Sequence, residues 1–196
     1  MHVPVAERRK QLIEAAIRLM WRQGVERTTL RDIAKEAGAP LASVHYSFEN
    51  KDVLIQAAVE HWLIELVGTL IEDVTIEGGL RATALRVSDD FWAALEANPP
   101  NLLAQLEVVL WAIRGGQDHG LARGIYPRYE EVVGQVFARA IDSAGEVSAI
   151  APGMLARALC AIIDGACLQF LADPSSPAAK ELYYLMIDAL FDRAGV

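Results

Sequence analysis

Two carboxylates fall where a carboxylate is costly. Glu107 shares a helical face with Leu103, Leu110, Trp111 and Arg114. Asp164 shares one with Cys160, Ala161, Cys167 and Leu168. A carboxylate on a mostly apolar face must be paired, protonated or in contact with something. Each therefore reads as an orienting group in an apolar pocket or as a member of an internal hydrogen bond, with Arg114 the nearby cation for Glu107. The other reactive types are scattered. His2, His45, His61 and His119 fit no metal-ligand spacing. Cys160 and Cys167 stand two helical turns apart, roughly 10 Å, too far for a disulfide. They read as small core residues in a reducing compartment. The chain has no GxSxG, no HExxH, no Gly-rich phosphate loop and no Cys–His constellation. Nothing here points to an enzyme, a metal or a cofactor.

Charge directs attention to one end. The 196 residues carry a net charge of -8. Residues 1–61 hold 9 Lys+Arg against 8 Asp+Glu, and the remainder 9 against 18. Only the N-terminal third can approach phosphate without net repulsion. With 53% hydrophobic and 22% charged residues, the chain can bury a sizeable core. It has no uninterrupted apolar run of about 18 residues, so no membrane span is expected. The start, MHVPVAERRK, lacks a signal-peptide pattern, which makes the cytoplasm the expected location.

The elements that must position these residues are helices throughout, about nine in all. Leu12, Ala15, Ala16, Leu19 and Met20 form one apolar stripe on a helix over 4–23, stopped by Gly24. Thr29 is a good N-cap for a short second helix, with Asp32 three residues on. Gly38 ends it, and Pro40 suits the first turn of a short third helix with Val44 and Phe48 facing inward. Asn50 caps a long helix over 51–73. Further helices are expected over 80–98, from Asn101 to Gly115, and over 126–143, 154–171 and 178–193. The connection 117–124 is polar. The helix over 154–171 is apolar nearly all round and must be covered on both sides. The last carries Leu182, Leu185, Met186, Ala189 and Leu190 on one face.

Two short helices joined by about four residues make the DNA-binding helix-turn-helix plan. The string TTLRDIAKEAGAPLASVHYSFENKDVL is more specific. It resembles the signature of the tetracycline-repressor (TetR) family at Thr28, Thr29, Arg31, Asp32, Ile33, Ala34, Ala37, Gly38, Phe48, Lys51 and Leu54. Ala39, Ser43, Val44, Asn50 and Asp52 are conservative matches. The resemblance covers about residues 11–61. The tip departs from it: Pro40 stands for the usual Ser, Leu41 and Ala42 for polar or Gly residues, and His45 for a Tyr. Such a tip cannot make bidentate bonds to guanine. Leu41 and Ala42 suit thymine methyl groups instead, with Arg31, His45 and Tyr46 left for polar reading or phosphate. Thr29, Ser43 and Lys51 are expected phosphate anchors.

The resemblance implies an all-α architecture with a helix-turn-helix DNA-binding domain over 1–50 and a helical ligand-binding and dimerisation domain over 51–196. It also implies a repressor that leaves a palindromic double-stranded operator when a small, partly apolar effector binds among the middle helices. There Trp92, Glu107, Trp111, Tyr126, Tyr129 and Asp164 are the candidates. One short recognition helix reads too little DNA, so two copies must present two of them about one DNA turn apart, ~34–36 Å. The segments 154–171 and 178–193 are the expected homodimer surface, as a four-helix bundle. The apolar tip also leaves open a dimeric adaptor or ligand carrier of this shape that does not bind DNA.

Overall fold

The structure, a computed structural model, describes residues 4–72, 74–114 and 121–196, without the side chains of 63–72, 101 and 121. The described residues form nine helices and no strand: α1 (Val5–Gln23), α2 (Leu30–Glu36), α3 (Leu41–Ser47), α4 (Lys51–Glu72), α5 (Gly79–Ala97), α6 (Pro99–Arg114), α7 (Leu121–Ala144), α8 (Pro152–Ala172) and α9 (Ala178–Ala194). They divide into two compact units. One is Met1–Glu65 with Pro100–Ala122, and the other is Leu66–Pro99 with Arg123–Val196. The first unit thus includes α6 as well as residues 1–50.

In the first unit the expected α1 stripe is the buried one, Leu12, Ala15, Ala16, Leu19 and Met20. Ile33 and Ala34 of α2, Val44 of α3, Phe48 just after it, and Leu54, Ile55, Ala58 and Val59 of α4 are buried with it. Full burial of one such large side chain is worth about 1.5–3 kcal/mol. Gly24 ends α1 with φ +82°, a left-handed conformation that costs glycine nothing. The Asn50 side chain accepts from the Val53 N–H at 3.0 Å and caps α4.

In the second unit α5, α7, α8 and α9 share a core of Leu80, Trp92, Phe137, Leu155, Leu159, Tyr183 and Phe191. A Cβ at Gly134 would lie 3.1 Å from the Cα of Gly153, so paired glycines let α7 and the start of α8 approach backbone to backbone. By length and composition α8 is apolar enough to cross a bilayer, although it contains no unbroken apolar run of about 18 residues. One side accounts for Leu155, Ala156, Leu159, Ile162, Ala166, Cys167 and Phe170, which are buried. Met154 and Leu168 on it remain exposed.

Three boundaries differ from expectation. Helix α6 begins at Pro99, not after the prolines, because a first turn has no use for the missing N–H. Helix α7 begins at Leu121, taking in Gly124 and Pro127, so part of the expected polar connection is helical. Its remainder, with the stop at Gly115 and with His119, lies outside the described residues, as do His2 and Asp73. Helix α9 has two apolar faces. Ala179, Tyr183, Ile187, Phe191 and Ala194 point inward, at i, i+4 spacing, and the expected Leu185 and Met186 are exposed.

Candidate nucleic-acid interface and ligand site

The α2–α3 pair is held from behind. Glu36 on α2 accepts from Arg22 Nη2 at 2.9 Å and Arg18 Nε at 3.2 Å, both on α1. These hydrogen bonds hold its carboxyl below the ordinary carboxylate value. Arg9 of α1 donates to the Ser47 carbonyl at 2.8 Å, and its guanidinium lies 4.1 Å from the centre of the Phe48 ring. The Thr29 hydroxyl accepts from the Asp32 N–H at 3.2 Å and donates to Asp32 Oδ2 at 2.6 Å, closing the expected cap. Lys51 Nζ donates to the carbonyls of Val25 at 2.8 Å and Glu26 at 3.1 Å. An ammonium has three donors, so two of them tie α4 to the α1–α2 turn and one is left over.

With those groups turned inward, the outer face is plain. Arg31, Ala42 and His45 are exposed, and Leu41 and Ser43 half-buried. Tyr46 is 79% exposed, a large aromatic with nothing of its own chain over it. Among the described residues Arg31 makes no ion pair, since Asp32 is taken by Thr29 and Glu36 by Arg18 and Arg22.

The six ligand candidates fall in different settings. Tyr126 and Tyr129 on α7 meet Asp164 on α8. The Tyr126 hydroxyl donates to Asp164 Oδ2 at 2.5 Å. Burial pushes the Asp164 carboxyl above its ordinary value, offset in part by that hydrogen bond. Burial, then Asp164, pushes the Tyr126 phenol up to about 12. Tyr129 rises further, from burial and then from Cys160 and Asp164. The Cys160 thiol is pushed up to about 11 by burial and Asp164. No cation pairs with Asp164 among the described residues; Arg157, nearest in sequence, bonds Glu130 at 3.2 Å. Trp92 is different. It is buried between Phe170 and Tyr183, with its N–H on Glu96 at 2.8 Å. Lys180 also reaches Glu96, at 3.0 Å, so Trp92 reads as satisfied core.

Tyr183 is not singled out by the sequence alone. It is fully buried, and its hydroxyl makes no hydrogen bond among the described residues. Burial pushes it up to about 12; the nearby Ser88 hydroxyl draws it back in part, and Cys167, Asp89 and Cys160 add smaller upward pushes. An inward stripe on α9 through 183, 187 and 191 would have pointed to it.

Glu107 and Trp111 belong to the first unit. Arg114 pairs with Glu26 at 3.5 Å, not with Glu107. The Glu107 carboxylate instead lies against Gly24, where any Cβ would collide with it.

The model for bacterial regulatory proteins of the tetR family matches residues 12–58. The nicotine-responsive transcriptional repressor HdnoR of Paenarthrobacter nicotinovorans is 42% identical over 196 residues, the whole of both chains. This chain belongs to the TetR family. It is a DNA-binding transcriptional regulator of the helix-turn-helix type. Among solved structures, a TetR regulator from Haloarcula marismortui superposes with TM-score 0.70 at 20% identity over 97% of each chain. FadR of Bacillus subtilis, solved with stearoyl-CoA, gives 0.68 at 14% identity over 94% of this chain and 98% of its own. These two attest the fold.

Proposed function

We propose that this regulator is a cytoplasmic repressor whose α2–α3 pair holds a palindromic operator and that it lets go when an amine-bearing aromatic molecule binds beside Asp164. The observation that carries the DNA half is the outer face of α2–α3: Arg31, Ala42, His45 and Tyr46 stand free while the frame behind them is fully bonded. Leu41 and Ala42 meet thymine methyl groups, and Arg31, Ser43, His45 and Tyr46 reach phosphates or base edges. Thr29 and Lys51 contribute mainly by fixing the frame. Much of the specificity then rests on DNA shape.

The ligand half rests on a half-buried carboxylate with a raised pKa, no cation paired with it among the described residues and two phenols near it. A protonated amine neutralises such a group, and an aromatic body fills the apolar remainder. The full-length relative is named for its response to nicotine, a molecule of this chemical type. Two copies join through the outward faces of α8 and α9, where Met154, Leu168, Leu185 and Met186 lie exposed. The ligand acts by preferring a conformation in which the two heads are out of register. In sedimentation, wild type should run as a dimer and Leu185→Asp as a monomer.

The direct test is binding to DNA upstream of its own and neighbouring genes, titrated against salt. Selective binding whose log affinity falls steeply with log salt is the expected result. No selective binding to any of that DNA overturns the proposal in favour of an adaptor.

A further inference from the structure

Within the first unit, a cleft of about 570 Å³ opens between the end of α1, the turn after it and α6. That volume lies in the usual range for small-molecule pockets, ~300–1,000 Å³. Its lining includes Trp21 from α1 and Trp111 from α6, with Leu103 and Leu110 as apolar wall. The Glu107 carboxylate lies in it against Gly24. Three cations line the cleft and none bonds Glu107: Arg114 pairs with Glu26, Arg22 with Glu36, and Arg27 makes no ion pair among the described residues. Among the described residues Glu107 has no hydrogen bond or ion pair. A half-buried carboxylate beside two indoles is the arrangement that recognises alkylammonium groups, because the ring faces and the carboxylate both attract a cation.

We propose that this cleft is a second small-molecule site, separate from Asp164, which takes an alkylammonium with an aromatic or apolar body and weakens DNA binding when filled. The coupling follows from what the cleft touches. Gly24, Val25 and Glu26 line it, and the carbonyls of Val25 and Glu26 are the ones that Lys51 holds. An occupant that displaces Glu107 from Gly24 moves the turn, and α2 begins four residues after Glu26. The site is thus placed to shift the reading head without passing through the rest of the protein.

The probe is benzyltrimethylammonium, whose charge no pH change removes, with neopentylbenzene as its uncharged isostere. The full-length wild type should bind the cation, read as a change in tryptophan fluorescence, and bind the isostere at least tenfold more weakly. Glu107→Gln, nearly isosteric, should weaken the cation at least tenfold, and Asp164→Asn should leave its effect on these indoles unchanged. Glu107→Lys supplies a resident cation and should bind no probe. Circular dichroism melts of each variant confirm that a loss of binding is not a loss of folding. Saturating probe should lower operator affinity about fivefold or more, the usual floor for allosteric coupling. Three results overturn the proposal: Glu107→Gln binding the cation as wild type does, binding lost only in Asp164→Asn, or a filled cleft with unchanged operator affinity.

Discussion

The reading head and the α7–α8 site use their polar groups in opposite ways. In the head the polar groups of the frame are bonded locally or to the helix behind, as in Thr29 with Asp32 three residues on, and those of the outer face, Arg31, His45 and Tyr46, are left free. Between α7 and α8 the polar groups face one another across the core. Tyr126 and Asp164 are 38 residues apart; burial and then Asp164 push the Tyr126 phenol and the Cys160 thiol up, Arg157 offsets this in part, and the Tyr126 hydrogen bond draws Asp164 back. A rigid frame with a free face is suited to presenting side chains to a large rigid partner. A half-buried carboxylate among neutral phenols and a thiol is suited to receiving a small one. Stability and function are therefore separable in the head and joined in the α7–α8 site.

The largest effect that could break this comparison is in the head. Phe48→Ala empties the space under α3 and removes the Arg9 contact, at a cost of about 3–5 kcal/mol, read by denaturant unfolding. Two residues away, Tyr46→Ala should change stability by no more than about 0.5 kcal/mol. If Tyr46 proved as costly as Phe48, the free face would not be free.

Next come the DNA effects. Tyr46→Ala and Arg31→Ala should each weaken operator binding by about 1–3 kcal/mol, measured by fluorescence anisotropy. Arg31→Ala should also reduce the slope against salt by about one if it meets a phosphate. Lys51→Met is the informative contrast. It should act through stability of the α1–α2 turn and leave the salt slope nearly unchanged, since its ammonium is already held by two carbonyls.

In the α7–α8 site the effects are smaller and depend on pH. Asp164→Asn should weaken an amine ligand about tenfold or more, ~1.4 kcal/mol. A carboxyl raised by folding favours the native state when protonated. That contribution is present below the ordinary carboxylate value and is lost as pH rises through the raised one. The melting temperature of Asp164→Asn should therefore match or exceed that of wild type at neutral pH, and the advantage should close as pH falls. Ligand affinity runs the other way, falling as Asp164 takes up its proton. Equal pH profiles for the two proteins would show that Asp164 is not the group involved.

The same contrast explains what could be read from the sequence. The helices, the Thr29 cap, the Gly24 stop and the inward Val44 and Phe48 depend on neighbours within a few residues, and spacing alone locates them. So does the grouping of Arg31, His45 and Tyr46 away from the inner face. The pairing of Tyr126 with Asp164 depends on how α7 crosses α8 through Gly134 and Gly153, which no local pattern states. Glu107 was legible as an anomaly but not in its partner, because Arg114 on its own helix face reaches Glu26 instead. Trp92 read as a pocket candidate since burial from all sides is a tertiary fact. The second face of α9 stayed hidden because its outward stripe is the more aliphatic of the two.

A DNA-binding repressor released by an amine ligand held at Asp164 must lose its operator when that ligand is added. The most direct measurement is anisotropy of labelled operator DNA with nicotine added to wild type and to Asp164→Asn. The account predicts release from wild type and, in the variant, release only at about tenfold higher nicotine or more. Operator binding that nicotine leaves unchanged in the wild type, or release at the same concentration from both proteins, would contradict it.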